Sequence, residues 1–223
     1  METKYLIVGN SVAGINCIEG IRKIDKNGKI LVISKENEYN YSKPLISYYF
    51  GGKISEEQMI FKDRMFYKEN SIGLLPGATA LYIDVEKKNL VTDRGQIHFE
   101  KLLIATGGSP LIPEIQGYSR DIKGIWTFAS FSDAKGLKKY IKETGIDTAV
   151  ILGGGLIGLK CAEGLFENGI KIHLVEIADR LLSNTLDHQA SDFIEAYLRE
   201  KNVWFIRAIR LKGFTVEIAV LRK

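Results

Sequence analysis

The stretch Thr148–Gly158, TAVILGGGLIG, runs from a mostly apolar segment directly into a glycine-rich turn. Its spacing G-x-G-x-x-G, carried by Gly153, Gly155 and Gly158, predicts a buried strand, a tight turn and the start of a helix. The first glycine permits the turn, the second lets backbone approach a pyrophosphate, and the third lets the helix pack on the strand. The next apolar run, Lys171–Val175, completes a strand–helix–strand unit. This pattern is typical of a dinucleotide site.

An acidic residue closes this unit. Glu176 ends the second strand. In dinucleotide sites, an acidic residue roughly 20 residues after the glycine motif binds the ribose hydroxyls, and Glu176 lies near that position. The helix N-terminus offers free N–H groups and a favourable dipole to an anion. Because a carboxylate would repel a 2′-phosphate, the sequence favours NADH over NADPH. The predicted nucleotide contacts of this unit are Gly153, Gly155, Leu156, Ile157, Gly158 and Glu176.

The same pattern occurs near the N-terminus. The apolar run Lys4–Val8 leads into Gly9–Gly14, GNSVAG, then a predicted helix over 12–23 and a strand over Ile30–Ile33. A single G-x-G-x-x-G is a weak signal, because glycines also serve ordinary turns. Two copies in matched strand–helix–strand contexts indicate an internal duplication of one nucleotide-binding unit.

The first copy departs from the second at two positions. Ser11 replaces the middle glycine and adds a small side chain where backbone should meet phosphate. Ser34 stands where the second copy has Glu176, and the nearest acid is Glu36. The first copy is therefore the weaker match.

The remaining pattern indicates an α/β chain. We expect an amphipathic helix over 55–70, a hairpin of Ala80–Asp84 with Asn89–Thr92, and separate strands over 96–99 and 102–105. A further helix is expected over about 132–143. Pro110, Pro113 and Gly117 mark a connection, so we place the domains at 1–112 and 113–223.

Composition argues against several other functions. The formal net charge is only +4 and no basic stripe is visible, so nucleic acid is not an expected partner. No apolar run reaches the roughly 20 residues of a membrane span, and the N-terminus does not resemble a signal peptide. The two cysteines, Cys17 and Cys161, form no CxxC and are expected in the core. We therefore expect a cytoplasmic protein without a metal site.

Four motifs together resemble one family. They are GNSVAG (Gly9–Gly14), YSKP (Tyr41–Pro44), LLIATGGSP (Leu102–Pro110) and GGGLIGLKCAE (Gly153–Glu163), in this order. The set is similar to FAD-dependent pyridine nucleotide–disulfide oxidoreductases, in the branch of NADH-dependent rubredoxin reductases and nitrite reductase flavin modules. The resemblance implies an α/β protein with two Rossmann-like FAD/NAD(P)-binding domains, each a three-layer ββα arrangement.

The resemblance also implies roles for individual residues. FAD would occupy the first domain and NADH the second, with electrons passing to a small redox protein or another acceptor. Lys43 matches the cation beside the flavin and is the candidate catalytic residue. The implied FAD contacts are Gly9, Ser11, Val12, Ala13, Gly14, Ser34, Glu36, Lys43, Pro44, Ala80, Thr106 and Gly107.

Three departures from the family pattern matter. The stretch Leu45–Phe50, directly after Pro44, contains no cysteine, so disulfide reduction is not expected. Lys160, a further candidate cofactor contact, stands where much of the family has Glu, so Lys43 could face a second cation. We expect that either the local arrangement differs or Lys160 turns away. By the family pattern, we expect the C-terminal part of the fold to lie outside this sequence. We therefore expect a truncated or split chain, completed by an oligomer or a second chain.

Three interpretations stay open at this point. The first is an NADH:acceptor oxidoreductase with FAD. The second is a truncated or split nucleotide-binding subunit that binds NADH but is not catalytic alone. The third is a scaffold with vestigial loops. The tail segments 209–213 and 214–218 are compatible with a hairpin.

Overall fold

The structure, a computed structural model, describes residues 1–119 and 121–209. The chain divides into two compact units. Unit 1 comprises Met1–Ile46 and Ile54–Ser109, and unit 2 comprises Ser47–Lys53 and the chain from Pro110 onward. The short segment Ser47–Lys53 thus belongs to unit 2, although both neighbouring stretches of sequence belong to unit 1. Assigning a different nucleotide to each unit stays a prediction.

Unit 1 contains one six-stranded mixed sheet. Its strands are β1 Glu2–Val8, β2 Ile30–Ser34, β3 Ile72–Pro76, β4 Ala80–Asp84, β5 Asn89–Thr92 and β6 Gly95–Ile104. The order is β3-β2-β1-β6-β5-β4, with parallel pairing from β3 to β6 and antiparallel pairing from β6 to β4. The carboxyl ends of the four parallel strands therefore lie along one edge of the sheet.

Successive side chains of β1 point to opposite faces of the sheet and contribute to two separate hydrophobic cores. Ile7 packs on one face with Ile15 and Ile18 of helix α1 (Val12–Ile24). Leu6 and Val8 point to the opposite face, where they pack with Ile33 of β2 and with apolar side chains of the antiparallel strands, among them Leu90 and Ile97. The two cores separate a helical layer, the parallel strands and the antiparallel strands, as the expected three-layer ββα arrangement requires.

Two secondary-structure predictions for unit 1 were wrong, one for a helix and one for a pair of strands. The helix expected over 55–70 is a 3₁₀ turn, Glu57–Met59, followed after a break by helix α3, Arg64–Glu69. In the break, Ile60 forms a β-bridge with Tyr41, so long-range backbone pairing overrides the amphipathic pattern. The strands expected over 96–99 and 102–105 are one continuous strand, β6.

Unit 2 contains a three-stranded parallel sheet in the order β7-β8-β9. Its strands are β7 Thr148–Leu152, β8 Lys171–Val175 and β9 Trp204–Ile206, and its longer helices are α4 Phe131–Thr144, α5 Leu156–Glu167 and α6 His188–Glu200. The sequence did not predict α6 and β9. The short helix α2, Ile46–Phe50, links the two units along the chain.

The expected hairpin at 209–218 lies, except for its first residue, outside the described residues. Within the part of the chain that the structure describes, no helix is both long enough and apolar enough to cross a bilayer.

Candidate functional site

The two glycine loops share one backbone geometry. Gly9 and Gly153 each have a left-handed φ, +120° and +107°, which side chains rarely tolerate. A Cβ on Gly14 would collide with the carbonyl oxygen of Gly9, and a Cβ on Gly158 would collide with that of Gly153. The first and third glycines of each loop are therefore required by the turn itself.

The middle position of each loop is different. Gly155 has φ −78° and Ser11 has φ −122°, both accessible to any residue. Around a Cβ built on Gly155, no atom of the described residues lies within 4 Å. Serine at position 11 therefore does not strain the backbone, and the departure noted in the sequence leaves the first loop intact.

The helices that follow the glycine loops lack side-chain caps. In three other helices, the side chain of the N-cap residue accepts a hydrogen bond from a backbone N–H of the first turn. These N-cap residues are Asp63, Ser130 and Asp187. Ser11 and Gly155, the N-cap residues of α1 and α5, make no such hydrogen bond. The first turns of these helices thus keep free N–H groups beside the positive end of the helix dipole. Both loops fit a pyrophosphate.

The chain leaving β6 meets the first glycine loop. Ala105 N–H donates to Val8 O at 2.8 Å, and a Cβ on Gly9 would collide with the Ala105 carbonyl. Thr106 and Gly107, which follow, are exposed, and Gly107 has a left-handed φ of +68°. Gly9 and Thr106 therefore lie together at the carboxyl edge of the sheet.

The end of β2 contacts the turn before β4. Gly9 N–H donates to Ile33 O, and Ala78 N–H donates to Ser34 O, both at 2.9 Å. Ala80 begins β4 two residues later, at an irregularity in its pairing with β5. Ser34 is thus joined to the segment that carries Ala80.

Lys43 and Glu36, both predicted site residues, form an ion pair. Lys43 Nζ lies 3.7 Å from Glu36 Oε1, and Tyr41 donates its hydroxyl hydrogen to Glu36 Oε2 at 2.6 Å. The side chains of Lys43 and Glu36 are 44% and 32% exposed, a setting in which such pairs contribute about 0–1 kcal/mol. Lys43, followed by Pro44 in a 3₁₀ turn, can therefore turn to another anion at low cost.

Glu176 directly follows β8 and holds the second glycine loop. Its carboxylate accepts hydrogen bonds from Gly154 N–H at 2.5 Å and from Ala178 N–H at 2.7 Å. Leu182 N–H donates to the carbonyl oxygen of Gly154 at 2.9 Å, so Gly154 is held from both sides. A carboxylate has about four acceptor positions, so these bonds leave capacity for ribose hydroxyls. Sequence reasoning found the acid but missed its bracing role.

Lys160 is neutralised within unit 2. Its Nζ lies 2.7 Å from Glu163 Oε2, and Lys53 Nζ lies 2.9 Å from Glu163 Oε1. Hydrogen bonds from Lys160 and then Lys53 lower the pKa of Glu163. Lys160 Nζ also lies 5.2 Å from the centre of the Tyr48 ring. The lysine is thus held by its own helix and by Ser47–Lys53.

The cysteines carry no reactive thiol. Cys161 is buried, and this burial raises its thiol pKa to about 12. Cys17 is half-buried, and burial raises its pKa as well. At neutral pH both remain thiols, which are poor nucleophiles. No cluster of His, Cys, Asp and Glu able to hold a metal occurs among the described residues.

Sequence reasoning also missed a residue inside the first loop. Asn10 is only 8% exposed, and its Oδ1 accepts a hydrogen bond from the hydroxyl of Tyr67 at 2.7 Å. The second loop has Gly154 at this position. The asparagine itself, a polar side chain where the other copy has none, is the one signal in the sequence that points to this contact.

Fold and site together define a class of protein. Each unit has parallel strands in its sheet, a glycine loop after a strand, and a helix without a side-chain N-cap beyond that loop. This is the Rossmann-type arrangement for nucleotide binding, present twice in one chain.

The family follows from comparison. A model of the pyridine nucleotide-disulphide oxidoreductase family matches residues 3–220, and the chain belongs to this family.

Known relatives extend the comparison. The chain is 36% identical to the NADH-dependent phenylglyoxylate dehydrogenase subunit epsilon of Aromatoleum evansii, over 89% of this chain and 47% of the relative. It is 33% identical to the NADH oxidase of Methanocaldococcus jannaschii, over 90% and 46%. It thus spans about half the length of these relatives.

A solved structure shows the same fold. The covalent putidaredoxin reductase–putidaredoxin complex matches with a TM-score of 0.87 at 23% identity, over 97% of this chain and 52% of that one.

Proposed function

We propose that this chain serves an FAD-dependent NADH:acceptor oxidoreductase, with FAD in unit 1 and NADH in unit 2. The observation that carries the proposal is the pair of glycine loops, each followed by a helix whose N-terminus has no side-chain cap. When bound, FAD would take up the hydride of NADH and supply electrons to an acceptor. That acceptor is proposed to be a small redox protein or another electron carrier.

The chain's own residues divide the remaining tasks. The N-termini of α1 and α5 bind the two pyrophosphates through backbone N–H groups. Glu176 holds the second loop and accepts from ribose hydroxyls, and its charge disfavours NADPH. Lys43 releases Glu36 and stabilises negative charge that hydride transfer brings into the flavin site. With no cysteine in Leu45–Phe50 and with Cys161 buried, the proposed reaction uses no protein thiol.

The proposed function is tested on the purified chain with added FAD. We expect a yellow protein whose visible flavin absorbance is bleached by NADH without oxygen, and much more slowly by NADPH. A colourless protein that still binds NADH would contradict the proposal and identify a nucleotide-binding subunit without its own redox activity. A chain that binds neither nucleotide would leave only the scaffold interpretation.

Replacing Lys43 with alanine tests its proposed catalytic role. We expect flavin reduction by NADH to slow roughly tenfold to a hundredfold, because the charge of the reduced site loses its cation. The measurement is the single-turnover rate of flavin bleaching at saturating NADH. Lys43→Arg should keep most of the rate. Lys87→Ala, at a lysine 82% exposed beside Asp84, is the matched control and should change nothing. A normal rate in Lys43→Ala would exclude Lys43 from the site.

A further inference from the structure

A chain of buried polar side chains connects the first glycine loop to the segment that carries Lys43. Asn10, Tyr67 and Asn40 are 8%, 5% and 1% exposed. The hydroxyl of Tyr67 donates to Asn10 Oδ1 at 2.7 Å, and Asn40 Nδ2 donates to the same hydroxyl oxygen at 2.5 Å. Tyr67 in helix α3 therefore bridges two asparagines that are far apart in sequence.

The backbone of Lys62 fixes the donor and the acceptor in each hydrogen bond of this network. Lys62 N–H donates to Asn40 Oδ1 at 2.7 Å, and Asn40 Nδ2 donates to Lys62 O at 3.0 Å. These two bonds fix which end of the Asn40 amide carries hydrogen. Tyr67 must then accept from Asn40, so its single hydrogen is committed to Asn10. The network has one arrangement rather than two.

At the Asn40 end, this hydrogen-bonded network reaches the segment that precedes Lys43. Ser42 N–H donates to Met59 O at 2.8 Å, and Phe61 N–H donates to Asn40 O at 3.3 Å. Residues 40–42 are thus paired with 59–61 in an antiparallel manner, and Lys43 follows directly. Tyr67 stands between the glycine loop on one side and this paired segment on the other.

The Asn10 end depends on Tyr67. Asn10 Nδ2 is buried and has no hydrogen-bond acceptor among the described residues. A buried donor without an acceptor disfavours the loop conformation that buries it. The bond from Tyr67 opposes this effect and keeps the Asn10 side chain in its place.

We propose that Tyr67 is a positioning residue for the FAD site. Its hydroxyl holds the glycine loop, which meets the pyrophosphate, and the Lys43 segment, which meets the flavin end, in one relative arrangement. A long dinucleotide that contacts both is then bound without reorganisation of either. The inference rests on the proposed function, since it assumes that FAD is the ligand of unit 1.

The test compares Tyr67→Phe with the unaltered chain, using FAD and ADP as separate probes. We expect the Kd for FAD to rise about tenfold, the effect of losing one buried hydrogen bond and leaving its partners unpaired. The Kd for ADP, which reaches only the glycine loop, should rise by about threefold or less. Both are measured by titration well below the unfolding temperature. Tyr39→Phe is the matched control, because Tyr39 packs edge-on against Tyr67 but, among the described residues, its hydroxyl forms no hydrogen bond to either segment.

A double-variant cycle tests the contact itself. In an Asn10→Ala background, Tyr67→Phe should change FAD affinity by about twofold or less, because the hydrogen bond that joins Tyr67 to the glycine loop is already gone. A Tyr67→Phe chain that melts earlier yet binds FAD normally would show a purely structural tyrosine and overturn the proposal. An equal loss for FAD and ADP would overturn the link to Lys43. An unaltered chain that binds ADP but not FAD would overturn the proposed function, and this inference with it.

Discussion

Replacing Gly155 with aspartate is expected to lower the affinity for NADH at least about a hundredfold while making unit 2 more stable. Gly155 is the N-cap of α5, and a side chain there meets open space. Aspartate is a preferred N-cap, and its gain over glycine is a few tenths of a kcal/mol. The same carboxylate would occupy the N–H groups that we propose bind the pyrophosphate, and would repel its charge by about 4 kcal/mol at 4 Å in a surface setting. The two effects have opposite signs.

NADH titration and thermal unfolding of the same sample measure both effects. Gly155→Ser is the control, because Ser11 occupies the equivalent position in the first loop without backbone strain. Serine adds no charge, so NADH binding should fall by about threefold or less. If Gly155→Asp binds NADH as well as the unaltered chain does, the pyrophosphate does not lie at this loop.

Replacing Gly14 with alanine is expected to destabilise unit 1 by about 2–3 kcal/mol and to abolish FAD retention. The new Cβ would overlap the carbonyl oxygen of Gly9, which is backbone and cannot rotate away. Gly9 itself packs against the carbonyl of Ala105, so the loop has no free direction in which to move. Urea unfolding reports the stability, and the absorbance of bound flavin reports the site.

The same helix provides the matched control for Gly14. Around a Cβ on Gly20, the described residues place no atom within 4 Å. Gly20→Ala lies in the interior of α1 and should stabilise the chain by about 0.5–1 kcal/mol, because alanine loses less backbone entropy than glycine. Opposite signs for one chemical change in one helix separate steric overlap from helix propensity. A Gly14→Ala chain that is stable and retains FAD would contradict the close approach in the turn.

Prediction from sequence succeeded where local pattern and local backbone agree. The spacing of Gly153, Gly155 and Gly158 predicted strand, turn and helix, and each glycine has the conformation or clearance that its role requires. It failed over 55–70, where an amphipathic pattern suggested one helix. There Ile60 is drawn into a bridge with Tyr41, a contact with no local signal.

The sequence by itself determined the two strand–loop–helix units, the family, and the absence of a cysteine from Leu45–Phe50, because these depend on residue type and spacing alone. Only the tertiary structure decided how the loops are held. The bond from Gly154 to Glu176, the bridge by Tyr67, and the place of Ser47–Lys53 in unit 2 all join residues distant along the chain. Buried polar groups must form hydrogen bonds with whichever groups the fold places beside them. The spacing of residues in one sequence does not show which distant residues these are.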